Sequence, residues 1–210
     1  MERVADLKGF FITFEGIDGC GKSTQAERLV EALVGQGYPT LHTREPGGTA
    51  LGVKLRTMLL HEKEQEMAPA AELLLMAADR AQHVVEVIRP ALQRGDVVVC
   101  ERYVDSSVAY QGAAGVPLEH IAAVNAVATE GLLPDLTIWL DIDPEHTLVD
   151  GEADRIEERP LAYHQRVRQQ YAQIWERAAE RVVRLDVNGR AADDVHQAVL
   201  AIVNERLPRR

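Results

Sequence analysis

Hydrophobic residues fall into two patterns that alternate along the chain. Short continuous runs rich in β-branched and aromatic residues, at 10–14, 40–43, 96–100, 136–142 and 182–187, predict buried strands. Between them, apolar positions recur every three or four residues. Ala26, Leu29, Val30, Leu33 and Val34 mark a helix over about 22–36, stopped by Gly35 and Gly37. Further helices are predicted over 51–60, over 69–94 with Pro90 as a point of bending, and over 191–206. Strands alternating with helices predict an α/β fold, a five-stranded doubly wound parallel sheet between helical layers. Ligands of such sheets bind beyond the carboxyl ends of the strands. With no repeat, low-complexity tract or long linker, residues 1–210 read as one domain.

Composition narrows the function. The 46% hydrophobic and 27% charged residues are those of a folded globular chain. With 23 basic and 33 acidic residues the net charge is −10, which repels nucleic acids. A small phosphorylated ligand would have to be held by local cations and backbone amides. Cys20 and Cys100 form no CxxC, which argues against a zinc site or disulfide framework and fits a reducing cytoplasm. No apolar run approaches 18 residues, so neither export nor membrane insertion is expected. The seven histidines form no HxH or HExxH.

The sharpest chemical signal follows the first predicted strand. Gly16-Ile17-Asp18-Gly19-Cys20-Gly21-Lys22-Ser23 matches GxxxxGK[ST] between a strand and a helix. Glycines let successive N–H groups face inward, the helix N-terminus adds partial positive charge, and Lys22 places a full charge on terminal phosphates. Residues Gly16 to Ser23 with Thr24 therefore predict a nucleotide triphosphate site, with Ser23 toward Mg²⁺. A GTPase is disfavoured: no NKxD occurs, and the late DxxG, Asp186 to Gly189, follows the fifth strand. In an ATP-driven machine Glu101 could end the Walker-B strand, but Arg102 beside it points to another use.

Four further clusters are predicted to face the same crevice: Arg44-Glu45-Pro46-Gly47-Gly48-Thr49, Met76 to Arg80, Glu101-Arg102-Tyr103 with Ser106 to Gly112, and Asp154-Arg155-Ile156-Glu157. With the phosphate loop they closely resemble thymidylate kinases of the bacterial type, P-loop nucleoside monophosphate kinases. The resemblance runs from the first strand to about Tyr171. It implies a three-layer P-loop NTPase fold, transfer of the ATP γ-phosphate to dTMP with Mg²⁺, and a homodimer, with the apolar stretches 73–88 and 121–127 as candidate faces. It also implies roles: Arg102 and Arg80 on the acceptor monophosphate, Asp18 on the sugar hydroxyl, and Tyr110 beneath the deoxyribose. Ser106, Ser107 and Gln111 would contact the base, Glu45 and Pro46 would form a wall, and Glu101 would help hold the cation.

Three positions depart from the family pattern. Met76 stands where the family usually has a base-stacking phenylalanine. Glu101 stands where aspartate is general. The lid, about 149–160, is short and acidic, with no Lys or Arg between Asp143 and Asp154. The resemblance implies a transition-state arginine from either the phosphate loop or the lid; Gly19 excludes the loop and leaves Arg155 and Arg159, of which Arg155 is expected to close over the ATP phosphates. The alternatives are a kinase for another nucleoside monophosphate, which Met76 makes credible, or a catalytically weak ATP-binding regulator.

Overall fold

In the computed structural model, which describes residues 8–62, 66–147 and 153–208, the five apolar runs form one parallel sheet. β1 (Phe10–Glu15) lies centrally between β3 (Val97–Glu101) and β4 (Leu136–Asp141). β2 (Thr40–Arg44) flanks β3, and β5 (Val182–Asp186) flanks β4. Each strand ends within one residue of its predicted bounds. β3 pairs on both sides, Val98 matching Phe11 and Leu41, so its continuous Val97-Val98-Val99 run suits a strand covered on both faces.

Alternation along β1 builds the layers. Ile12 and Phe14 pack on α1 (Lys22–Gly35) and α8 (Ala192–Arg206) through Leu29, Leu33, Val195 and Val199. Phe11 turns to the other face, against Val84, Ile88 and Tyr103. That face carries α3 (Pro69–His83), α4 (Arg89–Arg94), α5 (Val104–Ala113) and α7 (Leu161–Arg177), while α6 (Leu118–Thr129) packs on α3 and α5. Burying each large apolar side chain stabilises the fold by roughly 1.5–3 kcal/mol.

The helix predicted over 69–94 is interrupted. α3 passes into a π-helical segment, Val84–Ile88, and then α4. Pro90 has no N–H to donate and its ring crowds the carbonyl four residues back, so a widened turn before it takes up the mismatch. Similarly, α2 (Ala50–Arg56) continues as a π turn, Thr57–His61. Near the predicted lid, Pro144–His146 forms a single 3₁₀ turn. Of the lid over 149–160, residues 149–152 lie outside the described residues, and Arg155 to Glu158 form turns. Among the described residues, no helix is long and apolar enough to cross a membrane.

Candidate active site

The loop after β1 folds as the motif requires. Gly16 has φ +139°, and a Cβ there would lie 2.6 Å from the Leu140 carbonyl oxygen. Gly21 caps α1 in the left-handed region, at φ 90°. The first turn of α1 has no side-chain cap and no acidic residue, so its amides and positive dipole end are available to an anion. Asp18, Gly19, Gly21, Lys22, Ser23 and Thr24 line an open cleft of about 1060 Å³. Gly16, Ile17 and Cys20 do not line it. The Gly16 and Ile17 carbonyls accept from Lys22 Nζ at 3.1 and 2.8 Å, and Ile17 and Cys20 pack into the core.

A second cleft, about 660 Å³, opens beside the first. The ten residues expected around the acceptor all line it: Asp18, Glu45, Pro46, Met76, Arg80, Arg102, Ser106, Ser107, Tyr110 and Gln111. Asp18, Glu45, Arg56, Arg102 and Glu157 line both clefts and so mark their junction.

Arg102 owes its place to an unusual backbone. Its φ is +67°, a left-handed conformation that costs a non-glycine residue energy and needs surrounding bonds to hold it. Arg102 N donates to the Phe14 carbonyl at 2.9 Å, and Tyr103 N to Glu15 Oε1 at 2.7 Å. Glu15, fully buried, also accepts from Ser106 N, Ser106 Oγ and Tyr171 Oη. Burial and the neighbouring Asp105 push its pKa up. So held, the guanidinium of Arg102 pairs with Asp18, donates to the Gly16 carbonyl at 3.1 Å and lies 4.8 Å from the centre of the Tyr110 ring. Tyr110 Oη donates to Asp18 Oδ2 at 3.1 Å, which fixes the ring against the pocket. Burial alone would raise the Asp18 pKa, but the charges of Arg102 and Lys22 outweigh it and keep the carboxyl ionised well below the usual range.

Ser23 and Glu101, the predicted cation ligands, meet at 2.5 Å. Burial opposes ionisation of Glu101, yet bonds from His42 and Ser23 and the charge of Arg44 bring its pKa down to about 2. A hydroxyl and an ionised carboxylate at the phosphate cleft are the hard oxygen donors that suit Mg²⁺, which keeps waters and phosphate oxygens as its other ligands. Two oxygen donors are few, a set that suits a cation arriving with phosphates.

The structure separates the two arginines expected on one phosphate. Arg80 lines only the acceptor cleft, is 2% exposed, and donates to Glu45, Ser107, Asn125 and the Tyr103 carbonyl. Arg155 does not line the phosphate cleft. Its Nε donates to the Leu59 carbonyl at 2.8 Å and its Nη2 to Glu72 at 2.7 Å, because Glu72 on α3 offers a buried carboxylate. Arg56, which the sequence reading missed, takes a junction place instead, donating to the Pro46 carbonyl at 3.0 Å. Burial and the like charges of Arg44 and Arg102 lower its pKa, the mark of a cation crowded among cations. Its signal was only a basic residue at the end of a short helix.

The 44–49 turn is pinned from behind. His83, fully buried, reaches Glu45 Oε1 at 3.0 Å and Thr43 Oγ1 at 2.6 Å. A Cβ on Gly48 would lie 2.5 Å from that ring, which has nowhere to move. Gly48→Ala is therefore expected to destabilise the protein by about 1–3 kcal/mol and to raise the KM for the acceptor. Thermal unfolding and steady-state kinetics test both; an unchanged melting temperature would show that the ring yields.

A phosphate-loop cleft and a second cleft that meet at shared guanidinium groups, on a parallel sheet of order 2-3-1-4-5, define a P-loop kinase. The family model described as thymidylate kinase matches residues 14–199, and the chain belongs to that family. A thymidylate kinase of Synechococcus sp. (strain JA-2-3B'a(2-13)) is 50% identical over 200 residues, covering 94% of this chain and 96% of the relative. One from Exiguobacterium sp. (strain ATCC BAA-1283 / AT1b) is 45% identical over 206 residues, with 96% and 97% covered. The crystal structure of thymidylate kinase from Ehrlichia chaffeensis superposes with a TM-score of 0.78 at 31% identity, covering 93% of this chain and 98% of that one.

Proposed function

We propose that this protein transfers the γ-phosphoryl group of ATP to dTMP, yielding dTDP and ADP on the way to dTTP. The observation that carries this is the junction, where Asp18, Arg56 and Arg102 belong to both clefts. A triphosphate on the 16–24 loop and a monophosphate in the second cleft would point their reacting ends at the same cations.

The chemistry asks mainly for alignment and charge neutralisation. An acceptor phosphate oxygen is already a competent nucleophile, so no general base is required. That oxygen bonds to the γ-phosphorus as the bond from phosphorus to the β,γ-bridging oxygen breaks, leaving ADP. Lys22 and the α1 amides hold the donor phosphates, while Arg102 and Arg56 hold the acceptor phosphate and keep two anions together. Mg²⁺, held by Ser23 and Glu101, would neutralise donor charge.

The acceptor then extends from the junction into the second cleft. Asp18 receives the sugar hydroxyl, and the anchored Tyr110 ring leaves no room for a 2′-hydroxyl. The base reaches Arg80, Ser107, Gln111 and Met76. Arg80 thus serves the base end rather than the phosphate. A methionine contacts an aromatic face by roughly 0.3–1.5 kcal/mol but orients it less firmly than a ring. Met76→Phe is expected to lower the KM for dTMP several-fold; an unchanged KM would place Met76 outside the base site.

The protein works in the cytoplasm as a homodimer. Leu74, Val85 and Val127 are 59%, 58% and 81% exposed, and these apolar side chains of the 73–88 and 121–127 stretches are the ones we assign to contact with a second copy. Coupled measurement of ADP release with Mg²⁺ and a panel of monophosphates tests the assignment. Release that depends on dTMP is expected. Release with a different monophosphate instead, or ATP binding without turnover, would replace it with one of the two alternatives.

A further inference from the structure

Glu72 belongs to neither cleft, yet its carboxylate is fully buried and fully used. Oε2 accepts from Arg155 Nη2 at 2.7 Å and from Arg159 Nη2 at 2.5 Å. Oε1 accepts from Gln111 Nε2 at 2.9 Å. The two arginines come from the 153–160 turns, and Gln111 lines the acceptor cleft on α5. Arg159 is steadied in turn, its guanidinium lying 4.6 Å from the centre of the Tyr163 ring.

A glutamine side chain has a donor end and an acceptor end, and its neighbours decide which faces where. A carboxylate clamped by two guanidinium groups can only accept. It therefore binds the NH₂ of Gln111, which leaves the carbonyl oxygen as the end of this cleft-lining side chain that a ligand can meet. On the acceptor reading given above, on which this step rests, the base edge meets that oxygen. Thymine and uracil present an N3–H donor there, whereas cytosine presents a lone pair. Arg80 agrees with this polarity: among the described residues four of its five N–H donors are engaged, leaving one for a base carbonyl, where cytosine would present an amino group.

We infer that Glu72 is a specificity-positioning residue. Held by Arg155 and Arg159, it locks the Gln111 amide so that the pocket accepts pyrimidines with an N3–H and rejects cytosine. Arg155 contributes by securing Glu72 rather than by touching the phosphates of ATP.

The test is the ratio of kcat/KM for dTMP to that for dCMP in the wild type, Glu72→Gln, Gln111→Leu and the double variant, with melting temperatures alongside. Glu72→Gln can present either end of its own amide, so the Gln111 amide is free to invert, and the ratio should fall at least roughly tenfold. Gln111→Leu should lower the ratio too, and the double variant should fall no further than Gln111→Leu alone. A purely structural Glu72 would lower the melting temperature and both kcat/KM values together with the ratio intact; that result, or additive effects on the ratio, overturns the inference. Should Glu72→Gln fail to fold, Arg159→Gln, on the partly exposed arginine, must shift the ratio in the same direction by a smaller factor, and no shift overturns the inference. A wild type that does not phosphorylate dTMP would instead overturn the acceptor reading itself.

Discussion

Replacing Arg102 with methionine is expected to lower kcat/KM for dTMP by roughly 10³-fold while ATP binding stays near the wild-type level. Methionine keeps much of the side-chain bulk but removes one of the two guanidinium groups, with Arg56, that line both clefts. The loss is compounded locally, because Arg102 also anchors Asp18 and Tyr110, the two groups we assign to the acceptor sugar. Lysine at this position restores the charge without the planar fork that reaches Asp18, Tyr110 and the Gly16 carbonyl at once, so Arg102→Lys should recover only part of the loss. Steady-state kinetics with titration of an ATP analogue check the pair of expectations. A fall of less than tenfold, or an equal loss of ATP affinity, would move the acceptor phosphate away from Arg102.

Lys22→Met should reduce kcat by roughly 10²–10³-fold with dTMP binding largely preserved. In a chain of net charge −10, the donor triphosphate is held against the bulk field by short-range interactions, and Lys22 is the full charge at the loop itself. Its Nζ lies within 2.8–3.1 Å of the Ile17 and Gly16 carbonyls, so the ammonium sits inside the loop's curl. Single-turnover phosphoryl transfer, with dTMP binding measured separately, distinguishes the outcomes. Retained kcat with weakened ATP binding would make Lys22 a ground-state anchor and not a stabiliser of the transition state.

Much of the fold was legible because its signals are local. Val97-Val98-Val99 can only be a strand covered on both faces in a chain of this pattern, and Gly16 to Ser23 is contiguous, so neither needed knowledge of distant residues. The π segment at Val84–Ile88 was not legible: Pro90 marks that something must give, while packing decides whether the helix bends or widens. The ten residues expected around an acceptor come from motifs, each with its own local spelling, and one cleft is lined by all of them.

Roles were harder to read than membership. Arg80 and Arg102 look alike in sequence, and only the fold puts Arg80 deep in one cleft and Arg102 where the two clefts meet. Arg56 sits in a helix end that also carries Lys54, with nothing local to say which cation turns inward. Arg155 was expected on ATP because Gly19 leaves the phosphate loop without an arginine and Arg155 is the first of two in the lid, ahead of Arg159. Its actual partner, Glu72, is 83 positions earlier in the chain.

The sequence by itself determined the strand–loop–helix order, the triphosphate loop and the family, since each is written in neighbouring residues or in spacings fixed by helix and strand geometry. The tertiary structure decided which cations line both clefts, why Arg102 tolerates a left-handed backbone, and which end of the Gln111 amide is bound to Glu72. These depend on side chains brought together across tens of residues, where burial leaves each donor and acceptor only one way to be satisfied.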